Sequence, residues 1–125
     1  MSKTAIVVFS DPKSGSEEAL GRLFNAMFLT LALKEKGQVV ALIFQGAGAR
    51  WPAEFTNPAH AAHALYHAVA DKVAGVCGGC ADVFGATEGV KATGLKLVRE
   101  KEIAGLGSIL DLSGYLDRGY RLVAF

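Results

Sequence analysis

Val73-Ala74-Gly75-Val76-Cys77-Gly78-Gly79-Cys80-Ala81-Asp82-Val83-Phe84-Gly85 is the stretch on which the fold turns. Val73 to Cys77 is a short apolar run and predicts a buried strand. Gly78-Gly79 predicts a tight turn, and Cys80 to Gly85 the beginning of a helix. A strand that feeds a helix through a glycine turn is the repeating joint of α/β architecture.

The same joint recurs on both sides. Upstream, Thr4-Ala5-Ile6-Val7-Val8-Phe9 and Gln38 to Phe44, with VVALIF at its heart, are continuous β-branched and aromatic runs. Strands apolar on both faces belong at the centre of a covered sheet. Ser10-Asp11-Pro12-Lys13-Ser14-Gly15 breaks the first with turn chemistry, and Gln45-Gly46-Ala47-Gly48-Ala49-Arg50 forms a loop after the second. Between them a helix is predicted from about Ser16 to Lys36. Ser14 or Ser16 caps it, Glu17 and Glu18 favour its positive end, and Gly37 stops it. Leu20, Leu23, Phe24, Met27, Phe28 and Leu31 recur at helical spacing as its buried stripe. Trp51-Pro52-Ala53-Glu54-Phe55 reads as a short helical turn, with Trp51 and Phe55 as packing or interface residues. Asn57-Pro58 signals a helix running to about Ala70. Downstream, Lys96-Leu97-Val98 is a fourth strand, Ser108 to Arg118 a helix with Ile109, Leu112 and Leu116 on one face, and Tyr120 to Phe125 a last strand. The alternation predicts a single domain over residues 1–125, a three-layer α/β/α sandwich with a mostly parallel five-stranded sheet.

Composition narrows the function. Thirteen basic and twelve acidic residues give a net charge of +1. No Lys/Arg cluster stands out, so nucleic acid is not an expected partner. No apolar run approaches the roughly 18–20 residues of a membrane span. The first residues carry no signal-peptide layout, which makes the cytoplasm the expected compartment. The chain is 51% hydrophobic, high for its size, and part of that excess is expected to cover a contact between identical subunits.

The two cysteines carry the chemistry. Ligand sites in open α/β sheets lie beyond the carboxyl ends of the strands, and Cys77 stands at such an end. A helix opening at Cys80 turns free N–H groups and its positive end toward the loop. That environment favours the thiolate, the form that attacks sulfur and binds metal. Gly78 and Gly79 allow a partner's close approach. The pair is therefore read as redox-active, sulfur-carrying or half of a metal site. Against this stands packing as two small buried residues. A thioredoxin-like site would need a proline after the motif, and Pro12, Pro52 and Pro58 all precede it. A zinc site would need about four ligands. On the same sheet edge, Arg50, Gly46 and Gly48 are expected to line the substrate pocket. Asp11 either joins them or caps its turn.

His60, His63 and His67 fall on one face of the helix predicted over 57–70, with Ala62, Leu65 and Val69 opposite as the core side. Histidines at i, i+4 can chelate a metal, but the plainer reading is a polar helix face. No metal or other cofactor is expected.

This layout resembles the DsrE/DsrF-like family, which includes sulfur-relay proteins. The resemblance spans nearly the whole chain: the IVVFSDP strand and turn, the Glu-Glu-Ala-Leu helix, VVALIFQGAGAR, VAGVCGGCADVFGA and the closing GYLDRGYRLVAF. Its most specific element is a cysteine at the end of the third strand with a glycine eight residues on, met here by Cys77 and Gly85. The resemblance implies a small α/β domain that assembles as a trimer or hexamer. It also implies a persulfide carrier in which Cys77 accepts and passes on sulfane sulfur, with Cys80 as an auxiliary thiol able to resolve the persulfide to a disulfide. The donors and acceptors would be proteins or small thiols. The alternative from the residues alone is a non-catalytic oligomeric binding or assembly module with structural cysteines.

Overall fold

A computed structural model describes residues 2–125. The strands are β1 (Lys3–Val8), β2 (Val39–Phe44), β3 (Val73–Cys77), β4 (Leu97–Val98), β5 (Lys101–Ile103), β6 (Gly107–Ile109) and β7 (Arg121–Ala124). The helices are α1 (Glu17–Glu35), α2 (Trp51–Phe55), α3 (His63–Val69), α4 (Gly78–Val83), α5 (Thr87–Thr93) and α6 (Ser113–Asp117). Five strands form one sheet in the order β4-β3-β2-β1-β7, and every neighbouring pair is parallel. All five carboxyl ends therefore open on one edge.

Side-chain alternation sorts the core into two layers. Ile6, Val8, Leu42, Phe44 and Val76 face one side and pack against α1, α2, α3 and α5 through Leu23, Met27, Phe55, Val69 and Val90. Ala5, Val7, Ile43 and Cys77 face the other, where Leu110, Leu112, Tyr115 and Tyr120 cover them. The result is a three-layer α/β/α arrangement. Among the described residues no helix is long and apolar enough to cross a membrane.

The predicted β1, β2, β3 and β4 are found within a residue or two of their expected bounds, as are α1 and α2. The Ser16 side chain caps α1 by accepting the Ala19 N–H. Four expectations need correction. Phe28 is 54% exposed, because α1 lies on the sheet through the narrower face of Ala19, Leu23, Ala26, Met27, Thr30 and Leu33. The helix expected over 57–70 begins only at His63. Before it, the Asn57 carboxamide oxygen accepts the Ala59 N–H and His60 Nδ1 accepts the Ala62 N–H, local bonds that compete with helix formation. His60 consequently lies off the helix that carries His63 and His67. Ser108 to Arg118 is no continuous helix: Gly107–Ile109 pairs with Lys101–Ile103 as an antiparallel hairpin. Helix α6 starts only after Asp111, whose carboxylate accepts both the N–H and the hydroxyl of Ser113, and Leu116 points to solvent. Finally, Gly78 and Gly79 form the first turn of α4 and not a turn ahead of it.

Candidate functional site: the Cys77–Cys80 pair

Cys77 is both the last residue of β3 and the N-cap of α4. Its sulfur accepts the Cys80 backbone N–H at 3.2 Å, the place an N-cap serine oxygen takes elsewhere. The cap and the third helical residue are one turn apart. Their Cα atoms are 5.2 Å from each other, and the two sulfurs are joined in a disulfide. The thiolate expected at Cys77 is therefore not what the structure holds. Cys77 is fully buried in the core layer beneath Leu110 and Val98. Cys80 is the half-buried member and the one that reaches the surface.

Cys80 opens onto a pocket of about 160 Å³ whose walls are entirely apolar, formed by Gly79, Cys80, Val83, Phe84, Leu106 and Ile109. The hairpin that the sequence did not foretell supplies two of its six walls, Leu106 and Ile109. The glycines of the motif are filled by the protein itself and not left for a partner. A Cβ at Gly78 would lie 2.5 Å from Cγ of Arg99, and one at Gly79 would lie 3.0 Å from the Ser108 carbonyl oxygen. Only glycines let Arg99 and β6 close over the start of α4. Gly85 has φ +67 and ends α4, with the Ala86 N–H returning to the Ala81 carbonyl at 2.7 Å. The eight-residue step from Cys77 to Gly85 is thus one short helix with its cap at one end and its left-handed stop at the other.

Arg99 is the neighbour of the pair that sequence reasoning missed. It follows β4 directly and donates two bonds to Asp82 of α4, at 2.8 Å and 3.2 Å. The Thr87 hydroxyl donates to the same carboxylate at 2.6 Å. These bonds, that from Arg99 first, hold the Asp82 carboxyl down at about 2. Its signal was an arginine immediately past an apolar pair on the expected sheet edge. Gln45, also missed, is buried at the end of β2 and donates to the Leu110 carbonyl at 3.2 Å, fastening the layer over Cys77.

Arg50 and Asp11 meet in an ion pair at 2.8 Å. Arg50 also donates to the Phe84 carbonyl at 3.0 Å and lies over the Phe84 ring at 5.3 Å. Asp11 additionally caps its turn by accepting the Lys13 N–H. The two residues tie the ends of β1, β2 and α4 together, and the polar contacts of Arg50 go to Asp11 and Phe84, not to the cysteines. Arg50 lines a separate open cleft of about 200 Å³ with Pro12, Ala53, Phe84 and Gly89. Gly48 packs inside the fold, where a Cβ would lie 2.2 Å from the Val8 carbonyl oxygen, and Gly46 beside it is half-buried. Trp51, nearly buried, donates its indole N–H to the Ser10 carbonyl at 2.8 Å.

Among the described residues no three His, Cys, Asp or Glu side chains gather around a point that would hold a metal, so no cysteine joins the histidines.

Residues 3–125 match the family model described as DsrE/DsrF-like family. The uncharacterized protein MJ0733 of Methanocaldococcus jannaschii is 31% identical over 101 residues, 81% of this chain and 78% of that protein. A solved structure of BT1422 from Bacteroides thetaiotaomicron, a conserved protein of unknown function, shares the fold with a TM-score of 0.62. It is 16% identical, with 98% of this chain and 95% of that one covered.

Proposed function

The chain belongs to the DsrE/DsrF-like family, and from that premise we propose that it carries sulfane sulfur as a persulfide on Cys77, with Cys80 as the resolving thiol. In the reduced protein the Cys77 thiolate attacks the outer sulfur of a donor persulfide. The S–S bond of the donor breaks and the donor leaves as a thiolate. Release to a sulfur acceptor thiolate reverses this step. When no acceptor is present, the Cys80 thiolate attacks the inner sulfur of the persulfide. The Cys77–Cys80 bond then forms and hydrosulfide departs. Two small thiols reopen the disulfide and are themselves joined as a disulfide.

The observation that carries this reading is the closed Cys77–Cys80 bond at the strand-to-helix junction, the product that the resolving step requires. The Cys80 N–H on the Cys77 sulfur favours the thiolate of Cys77 when the bond opens. The apolar pocket beside Cys80 gives the incoming thiol its approach and keeps water from the sulfurs. A cycle reopened by thiols suits a reducing compartment, so the reading places the protein in the cytoplasm.

The test is intact-mass spectrometry after reduction and exposure to a persulfide donor. The parent should gain one sulfur and lose it with time. Cys80→Ser should hold it, and Cys77→Ser should acquire none at that position. Absence of a sulfur adduct on Cys80→Ser, where no second thiol resolves it, would sink the proposal.

The full burial of Cys77 favours a second reading, in which the cysteines are structural and the chain is an assembly module. Under that reading Cys77→Ser lowers stability and changes no sulfur chemistry. Either reading includes self-association as a trimer or hexamer. Its support is Phe28 on the outward side of α1, 54% exposed and stacked at 6.1 Å on the half-buried Phe24.

A further inference from the structure

His63 and His67 stand one helical turn apart on α3 with their Nε2 atoms 3.1 Å from each other. His63 Nδ1 lies 2.9 Å from the carbonyl oxygen of Phe55. A carbonyl oxygen only accepts, so the proton of neutral His63 sits on Nδ1 and its Nε2 presents a lone pair. Phe55 is fully buried, and its ring stacks on Tyr66 at 4.5 Å, so the carbonyl that orients His63 is itself fixed. A histidine held through one ring nitrogen by a carbonyl, with the other nitrogen bare, is the arrangement that metal-binding histidines adopt.

We propose that His63 and His67 form a two-point clamp for a single borderline divalent cation, binding Cu²⁺ most tightly and Zn²⁺ less so. Two bonds of about 2.05 Å to nitrogens held as in this pair would subtend roughly 100°, between square-planar and tetrahedral geometry. Imidazole nitrogen suits these cations, and Cu²⁺ stands at the top of the divalent series. His67 is exposed. Its ring needs only to move its proton to Nδ1 and turn slightly for both lone pairs to meet the ion. Water completes the coordination. His60 contributes nothing, because its Nδ1 accepts the Ala62 N–H and its ring rests edge-on to Trp51.

This site is independent of the cysteines, and the experiment keeps it so. The untagged protein in its disulfide form, which leaves no thiol to compete, is titrated with CuCl₂ and followed by calorimetry and electron paramagnetic resonance. The expected result is one Cu²⁺ per chain with nitrogen coupling in the spectrum. Binding should weaken at least about tenfold in His67→Ala and in His63→Ala, and also on acidification, because protons compete for imidazole. His67→Ala removes an exposed ring and leaves the fold intact, so it decides the matter even where His63→Ala disturbs packing. Parent-like affinity in His67→Ala, or no saturable site before the substitution, overturns the proposal.

Discussion

Cys80 donates its backbone N–H to the sulfur of Cys77 and itself lines the apolar pocket, so the two cysteines of one motif live in different surroundings. One is buried and hydrogen-bonded; the other is open and free of such a bond. Toward a bulky reagent access decides, whereas toward a small sulfur donor the hydrogen-bonded Cys77 thiolate decides. In the reduced protein, a bulky alkylating agent should label Cys80 before Cys77, as read by peptide mass mapping over time. Equal labelling would mean that reduction releases Cys77 from the core.

Stability separates a staple from a reaction centre. The cysteines are three positions apart, and the chain-entropy argument gives a loop that short only roughly 2 kcal/mol of stabilisation. Reduction should therefore shift the free energy of unfolding by no more than about that amount, measured in urea through the single tryptophan, Trp51. A much larger loss would favour the structural reading of the pair.

Acid should loosen the ring of contacts around α4. The Asp82 carboxyl is held at about 2 by Arg99 and Thr87, against 3.8 without them. A carboxyl lowered on folding stabilises the native state fully above its unfolded value. That contribution disappears as pH falls from about 4 through about 2. The stability of the parent should fall more steeply across this window than that of Asp82→Asn, with the two compared in thermal unfolding at a series of pH values. Parallel curves would show that Arg99 is not held by this carboxylate in solution.

The outward face of α1 offers a mutation that leaves the monomer alone. Phe28 is more than half exposed, so Phe28→Glu should cost little in folding. It should reduce a trimer or hexamer to smaller species on light-scattering chromatography. An unchanged mass would place any subunit contact elsewhere.

The strands were legible because each apolar run ends at a glycine, a proline or a polar turn; Val73 to Cys77 needed no adjustment. Helix α1 was legible through its cap and its stop, but its exposed face was not. Phe24 and Phe28 share the helical period with Leu23 and Met27, and hydrophobicity alone does not say which of two adjacent stripes meets the sheet. The hairpin over 101–109 escaped because Ser108-Ile109-Leu110 and Leu112 satisfy a helical spacing as well as a strand. Only the pairing with Lys101–Ile103, a tertiary fact, decides between them. Cys77, Cys80, Asp11 and Arg50 were all placed on the right sheet edge. The division of that edge into a cysteine half and an arginine half depends on side-chain bonds that spacing does not encode. Arg99 was hidden by the brevity of β4, two residues long.

The last strand pairs with the first: Thr4 to Val7 register with Arg121 to Ala124, and the Phe9 and Phe125 main chains bond at 2.7 Å. Nearly the whole sequence separates the partners, so this flank of the sheet forms only through the longest-range contact in the molecule, the kind that slows folding. During synthesis β1 must wait with one edge unpaired until β7 has been made. A β1 edge left open in that interval, apolar on both faces, is an obvious template for wrong pairing between nascent chains. The protein is thus one whose yield in a cell should depend on how well that edge is shielded before the final strand arrives.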